Sequence, residues 1–281
     1  MPRSGPALLA SALSLVPLAA AAPKPPAPAS VGIAVATLSY VDQAVEREFM
    51  PTPAGWKPLK EGDAVRTGDR IRTSAEALAR LQFPWMSVTA GPATTLHIPA
   101  SVVLSTVLDE GRAEFEAGTR EIVKVRTAEA EIRGCGRIVV RRVRERTLVM
   151  AMAMDGTFRI DARGHVAVLR TGEGVIVRDG QPPGPPLKLP EAPRVLEPGK
   201  DPVYVRKGER IALRFEPSGP AYVQILPFER PEVLIAREAG ASPVAVDIPW
   251  EGTYRWRVSA RDAQGLESLP SDDGVVCVVS R

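Results

Sequence analysis

Trp56–Phe83 reads WKPLKEGDAVRTGDRIRTSAEALARLQF, and its turn residues decide the fold. Two Gly-Asp pairs, Gly62-Asp63 and Gly68-Asp69, bracket a short apolar element around Val65. Glycine enters positive φ without steric cost, and an aspartate side chain can accept from nearby backbone N–H groups. Beyond Ile71 and Thr73 the chain alternates. Ala77, Ala79, Leu81 and Phe83 fall on one face and Leu78, Arg80 and Gln82 on the other, which predicts a strand with one side buried. Turn chemistry this dense specifies a backbone path, whereas a recognition loop more often carries exposed aromatics or paired charges. Gly62, Asp63, Gly68, Asp69 and Thr73 therefore read as structural turn residues.

The remaining chain extends that β reading. Its 281 residues are 44% hydrophobic and 25% charged, within the globular range and enough for one large domain or two smaller ones. With 28 Pro and 23 Gly punctuating short apolar runs, an all-β architecture is expected. A formal charge of +3 is too small to argue for a nucleic-acid partner. The N-terminus has the form of an export signal: Arg3, an apolar run from Ala7 to Leu18, then small residues from Ala19 to Ala22. Cleavage after Ala21 predicts a mature protein in the periplasm or cell envelope of a bacterium, and an uncleaved membrane anchor is the alternative. That run is short for a transmembrane helix and no later segment matches it, so no integral membrane segment is expected in the mature chain.

Trp56, Gly62-Asp63, Gly68-Asp69-Arg70-Ile71-Arg72-Thr73 and the alternating Ala77–Phe83 together resemble the FecR domain, a bacterial envelope module. Downstream, Glu110-Gly111-Arg112-Ala113 and Ile132-Arg133-Gly134-Cys135 fall where that family has turns. Thr171-Gly172-Glu173-Gly174-Val175-Ile176-Val177 fits its closing strand. The resemblance covers about residues 31–180 and implies a FecR-like β-sandwich or β-roll. Two departures are visible: Trp85-Met86 replaces the usual Asp-Gly turn, and Cys135 stands where the family has Thr.

In chain order, residues 1–21 are the signal segment and 22–30 a Pro/Ala linker. The FecR-like domain spans 31–180, a Pro-rich linker 181–201, and a second module 202–281. Within the first domain, Thr147–Ile160 predicts a hairpin about Asp155-Gly156, with Met150, Met152 and Met154 as core filler on one face. The second module offers seven short strands in about eighty residues, the spacing of a small antiparallel sandwich. Trp250–Asp262 with Gly265 and Pro270-Ser271 resembles the end of a fibronectin type III-like module. There Gly252-x-Tyr254 would start a strand and the Tyr254 hydroxyl would cap a corner. Tyr254, Trp256 and Val258 predict an inward face, and Arg255, Arg257 and Ser259 a wet one.

Chemistry-bearing patterns are sparse. His97 and His165 stand in unrelated contexts, and the sequence has no HExxH, CxxC, GxSxG or Walker-type loop. No catalytic residue, metal or cofactor is expected. Arg142, Arg144 and Arg146 could project from one strand face toward an anionic polymer. The alternative is a solvated face neutralised by Glu129 or Glu131. Cys135 and Cys277 could pair in an oxidising compartment or remain small apolar residues. Gly134 reads as a strand turn. The composite expectation is a non-enzymatic exported protein acting as a binding or scaffolding module for an unidentified envelope component, protein or polysaccharide. A signal-transducing sensor and an envelope hydrolase are the alternatives.

Overall fold

The computed structural model describes residues 32–51, 53, 55–100, 105–118, 121–152, 156–229 and 234–280. The signal segment, the 22–30 linker, Met154 and Asp155 lie outside them. The described chain is all-β. The first strands are β1 (Ala34–Asp42), β2 (Val45–Phe49), β3 (Lys57–Pro58), β4 (Ala64–Arg66), β5 (Asp69–Thr73), β6 (Leu78–Gln82), β7 (Met86–Ala90) and β8 (Thr95–His97). Then come β9 (Thr106–Ala117), β10 (Val123–Arg126), β11 (Glu131–Gly134), β12 (Gly136–Val143), β13 (Arg146–Ala151), β14 (Thr157–Ala162), β15 (His165–Arg170), β16 (Glu173–Arg178) and β17 (Leu187–Lys188). The last are β18 (Arg194–Glu197), β19 (Val203–Arg206), β20 (Arg210–Glu216), β21 (Ala221–Pro227), β22 (Ile235–Ala239), β23 (Val244–Asp247), β24 (Gly252–Ala260) and β25 (Gly274–Val279).

Strands β1–β17 build one lobe of two facing sheets. One runs β4-β1-β6-β7-β9-β12-β13-β16-β17 and the other β3-β2-β5-β8-β9-β10-β11-β14-β15. β9 serves both. Its N-terminal part pairs with β8 and β10, and its C-terminal part with β7 and β12. The change of sheet falls at Gly111, where φ is +92° and a Cβ would lie 2.5 Å from the Thr94 Cα. Only glycine bends the strand there without collision. Glu110–Ala113, expected to be a turn, is thus a bend inside one continuous strand. The predicted Thr147–Ile160 hairpin is also corrected: β13 pairs with β12 and β16, and β14 with β11 and β15. The chain passes from one sheet to the other between them, because Val149 and Phe158 enter the shared core from opposite sides.

The Gly-Asp turns recur as one device. Lys60 N–H donates to Asp63 Oδ2 (2.9 Å), and Arg66 N–H to Asp69 Oδ2 (2.8 Å). Arg170 N–H to Glu173 (2.8 Å) and Arg206 N–H to Glu209 (3.0 Å) repeat it at Gly172 and Gly208. In each, a glycine at φ between +79° and +91° precedes an acid that accepts the N–H three residues back. Thr73 is a buried hub. Its hydroxyl donates to Gly91 O (2.6 Å) and accepts from Thr94 N–H (2.9 Å), so β5 is fixed to the turn before β8. Trp56 lies under the Arg72 guanidinium, 4.2 Å from ring centroid to Cζ.

The second lobe packs β18-β20-β23 against β19-β25-β24-β21-β22 around Phe215, Ile225, Trp256 and Val276. β18 falls inside the stretch read as a linker and pairs with β20 at a sheet edge, as its neighbouring prolines require. β17 lies in the same stretch, pairs with β16, and is followed by the buried Leu189. Residues 181–201 are therefore partly built into both lobes. Tyr254 donates from its hydroxyl toward Trp250 O and Glu251 O, each at 3.2 Å, closing a corner at the start of β24.

Candidate functional site

The lobes meet on faces that alternation alone predicts to be wet. Leu78, on the polar side of β6, is buried with Tyr222, Leu226 and Ala236. The methionine face, expected to fill a core, fills this seam and not the first lobe's main core: Met150 and Met152 are buried with Leu148 and Ile176 of the same sheet, Leu189 of the linker stretch and Leu266 of the second lobe. Ser259 is 4% exposed, so the presumed wet face of β24 is covered in part by the first lobe.

At the centre of this seam is an ionic cluster. Arg112, 3% exposed, donates from Nε to Glu267 Oε2 (2.9 Å) and Oε1 (3.2 Å), and Glu267 is 0% exposed. The same guanidinium lies 3.7 Å from the Tyr222 ring centroid. Glu114 accepts from Arg137 Nε (2.6 Å) and lies 3.8 Å from Arg112. Arg261 joins Glu267 (3.3 Å) and Glu238 (3.2 Å), while Arg257 donates to Gln224 (2.8 Å). Burial would lower the Arg112 guanidinium, but Glu267, Tyr222 and Glu114 outweigh it and hold it charged. Burial likewise raises Glu114, yet Arg137, Arg112 and Arg257 bring its carboxyl down to about 2. The Tyr222 hydroxyl is pushed up to about 12, mainly by burial.

Backbone bonds tie this cluster to the Gly-Asp region. Gly91 N–H donates to Arg112 O (2.9 Å), and Arg112 N–H to Thr94 Oγ1 (3.0 Å). Thr73 therefore holds the turn that holds Arg112. Sequence reasoning missed Arg112, Tyr222, Glu238, Arg261 and Glu267 as a group. The one local signal was Glu267 set between Leu266 and Leu269.

The arginines singled out from sequence do not share a face. β12 and β13 form a hairpin through Arg144 and Glu145, so Arg142 opposes Thr147 and Val143 opposes Arg146. Arg142 turns toward the other sheet, where Glu129 accepts from its Nε (2.9 Å) and Nη2 (2.9 Å). Burial raises Glu129, but Arg142 and Thr147 outweigh it. Arg144 occupies the turn at φ +57°, and Arg146 stands on the outer face. There Arg146 is directly opposite Arg178 of β16. With Arg144, they line an open depression of about 760 Å³, bounded also by Val143, Glu145, Asp179 and Gln181.

Cys135, between β11 and β12, and Cys277, in β25, are both free thiols, so the pairing option is not realised. Gly134 is locked under β14, since a Cβ there would lie 2.3 Å from Thr157 O. Among the described residues no group of three or more His, Cys, Asp or Glu could hold a metal ion, and no helix is long and apolar enough to cross a membrane.

No family model matches the chain. No curated relative matches it either. Among solved structures, two crystal structures of a candidate anti-sigma factor from Parabacteroides distasonis are similar, at 22% and 21% identity and TM-score 0.35. Each match covers 42% of this chain and 58% of the other, so this chain spans little more than half of that protein's length.

Proposed function

We propose that this chain is a non-enzymatic, exported bacterial envelope protein acting as a rigid binding or scaffolding module. In this reading a FecR-like domain is joined to a fibronectin type III-like one. The seam carries the proposal. Two β lobes joined by a short linker would ordinarily move independently. Here Arg112, Glu267 and Tyr222 are buried between them and fix one relative placement. A composite surface held that way is pre-organised, which favours recognition because little ordering remains to be done on binding. The Gly-Asp turns and the Tyr254 corner support the two module assignments.

Two measurements test this. N-terminal sequencing of protein recovered from the envelope should begin at or near Ala22, and recovery of intact Met1 protein from the cytoplasm would overturn export. Purified mature protein should then be retained saturably by one separated envelope fraction, peptidoglycan or lipid. Failure of both to retain it would count against a binding role. A transcriptional response that disappears on deletion, with neither fraction binding, would favour the sensor reading instead.

A further inference from the structure

The geometry points to an oxyanion-binding site on the outer face of the first lobe, formed by Arg146 and Arg178 with Arg144 at its rim. It would take a phosphate-type group, free or carried on a lipid.

Residues directly opposed on neighbouring antiparallel strands have Cβ atoms about 5 Å apart, and like charges so placed repel. Arg146 and Arg178 are such a pair, both on the outer face of their sheet. The other directly opposed arginines have carboxylates in reach: Arg112 and Arg141 with Glu267 and Glu238, Arg133 and Arg159 with Glu131 and Asp161. Arg144, Arg146 and Arg178 have neither an ion pair nor a side-chain hydrogen bond among the described residues. Glu145 and Asp179 border the same depression without pairing with them. Their link is through the backbone, Asp179 N–H to Glu145 O at 2.8 Å.

The surroundings limit what can enter. The next row inward on the same face is Arg141, Leu148 and Ile176. Gly265 of the second lobe closes over it: a Cβ there would lie 3.3 Å from Leu148, 3.4 Å from Arg141 Nη1 and 3.9 Å from Arg146 Nη2. The second lobe therefore covers the row inward of the depression, and the depression itself is open. Two guanidinium forks at cross-strand spacing can each donate two N–H bonds to one tetrahedral oxyanion, whose charge would also relieve their repulsion. A group with three exposed oxygens satisfies both forks at once.

The test uses the full mature chain. Inorganic phosphate is titrated by calorimetry, and vesicles of phosphatidylcholine with and without phosphatidylglycerol are co-sedimented with protein. Saturable binding of phosphate, or of phosphatidylglycerol vesicles only, is expected. The double variant Arg146→Gln/Arg178→Gln should weaken it about tenfold or more, and Arg126→Gln on the exposed end of β10 should leave it unchanged. Thermal melts give a second readout. Arg178→Gln should raise the melting temperature of free protein by removing the repulsion, and should abolish any rise caused by phosphate. Binding to neither probe, equal loss in Arg126→Gln, or a lowered melting temperature in Arg178→Gln would each overturn the site. None of these outcomes bears on the rigidity of the seam.

Discussion

Arg112 and Glu267 lie 155 positions apart and share two hydrogen bonds, of 2.9 and 3.2 Å, in a place that water does not reach. Removing Glu267 takes both hydrogen bonds from the buried Arg112 and leaves it only Glu114, 3.8 Å away, at a cost of about 3–5 kcal/mol. Glu267→Gln should therefore lower stability by that order, measured by urea unfolding. Arg112→Met/Glu267→Leu should lose less than the sum of the single changes, because no charge is stranded. Additive losses would show that the pair is not coupled.

Acid should weaken the seam through Glu114. Its carboxyl is near 2 in the folded protein and ordinarily 4.5. A depressed carboxylate stabilises fully above its unfolded value, and the contribution disappears as pH falls through the folded one. The loss between about pH 4.5 and 2 amounts to about 3 kcal/mol. Glu114→Gln should be much less stable than the native chain at pH 6, and the gap should close toward pH 2. Asp42 and Asp69, both raised by burial, act in the opposite direction but are common to both proteins. A gap independent of pH would refute the assignment.

Three glycines at similar φ should differ in their tolerance of substitution. At Gly62 (φ +87°) a Cβ meets nothing within 4 Å, so Gly62→Ala should cost only backbone strain, about 1 kcal/mol. At Gly68 (φ +91°) it would approach Phe49 Cε2 to 2.9 Å and Pro51 Cδ to 3.0 Å, so Gly68→Val should cost roughly 1–3 kcal/mol of strain plus repacking. At Gly111 the clash is with backbone, 2.6 Å from Ala93 O, and Gly111→Ala should be the most damaging. Melting temperatures of the three variants give the order directly.

Asp69 separates charge from hydrogen bonding. Burial raises its carboxyl despite the Arg66 N–H and Arg47. Asp69→Asn keeps the acceptor for Arg66 N–H and should change stability by less than about 1 kcal/mol. Asp69→Ala strands that N–H and should cost about 1–3 kcal/mol. Equal losses in chemical denaturation would mean that the turn depends on the charge instead.

Proteolytic nicking at Lys188 or Arg194 should not release two free lobes. Both residues are in strands, paired with Glu173 and Glu216, and Leu189 is buried beside the first. Cleavage should be slow, and the nicked chain should co-elute as one species on size exclusion until denaturant is added. Glu267→Gln should both speed the nick and let the fragments part. Prompt separation of native fragments would mean that the seam does not hold the lobes together.

The sequence by itself determined what is local. Gly62-Asp63 and Gly68-Asp69 are turns because positive φ and a short acceptor side chain act within a few residues. Ala77, Ala79, Leu81 and Phe83 share a buried face because a strand repeats every two residues. Trp256 and Val258 turn inward on the same ground, and Tyr254 closes its corner within four residues. Only the tertiary structure decided what meets each polar face. Alternation reads the same whether the second face borders water or another lobe, so nothing near Leu78, Arg112 or Ser259 shows that they are covered. The side to which Arg142 and Arg146 point depended on where the chain reversed. A two-residue turn at Arg144-Glu145 sent one to Glu129 between the sheets and the other to Arg178 outside. Burial of Arg112 on Glu267 joins residues 155 apart, and a contact between such distant residues leaves no periodic mark in either segment.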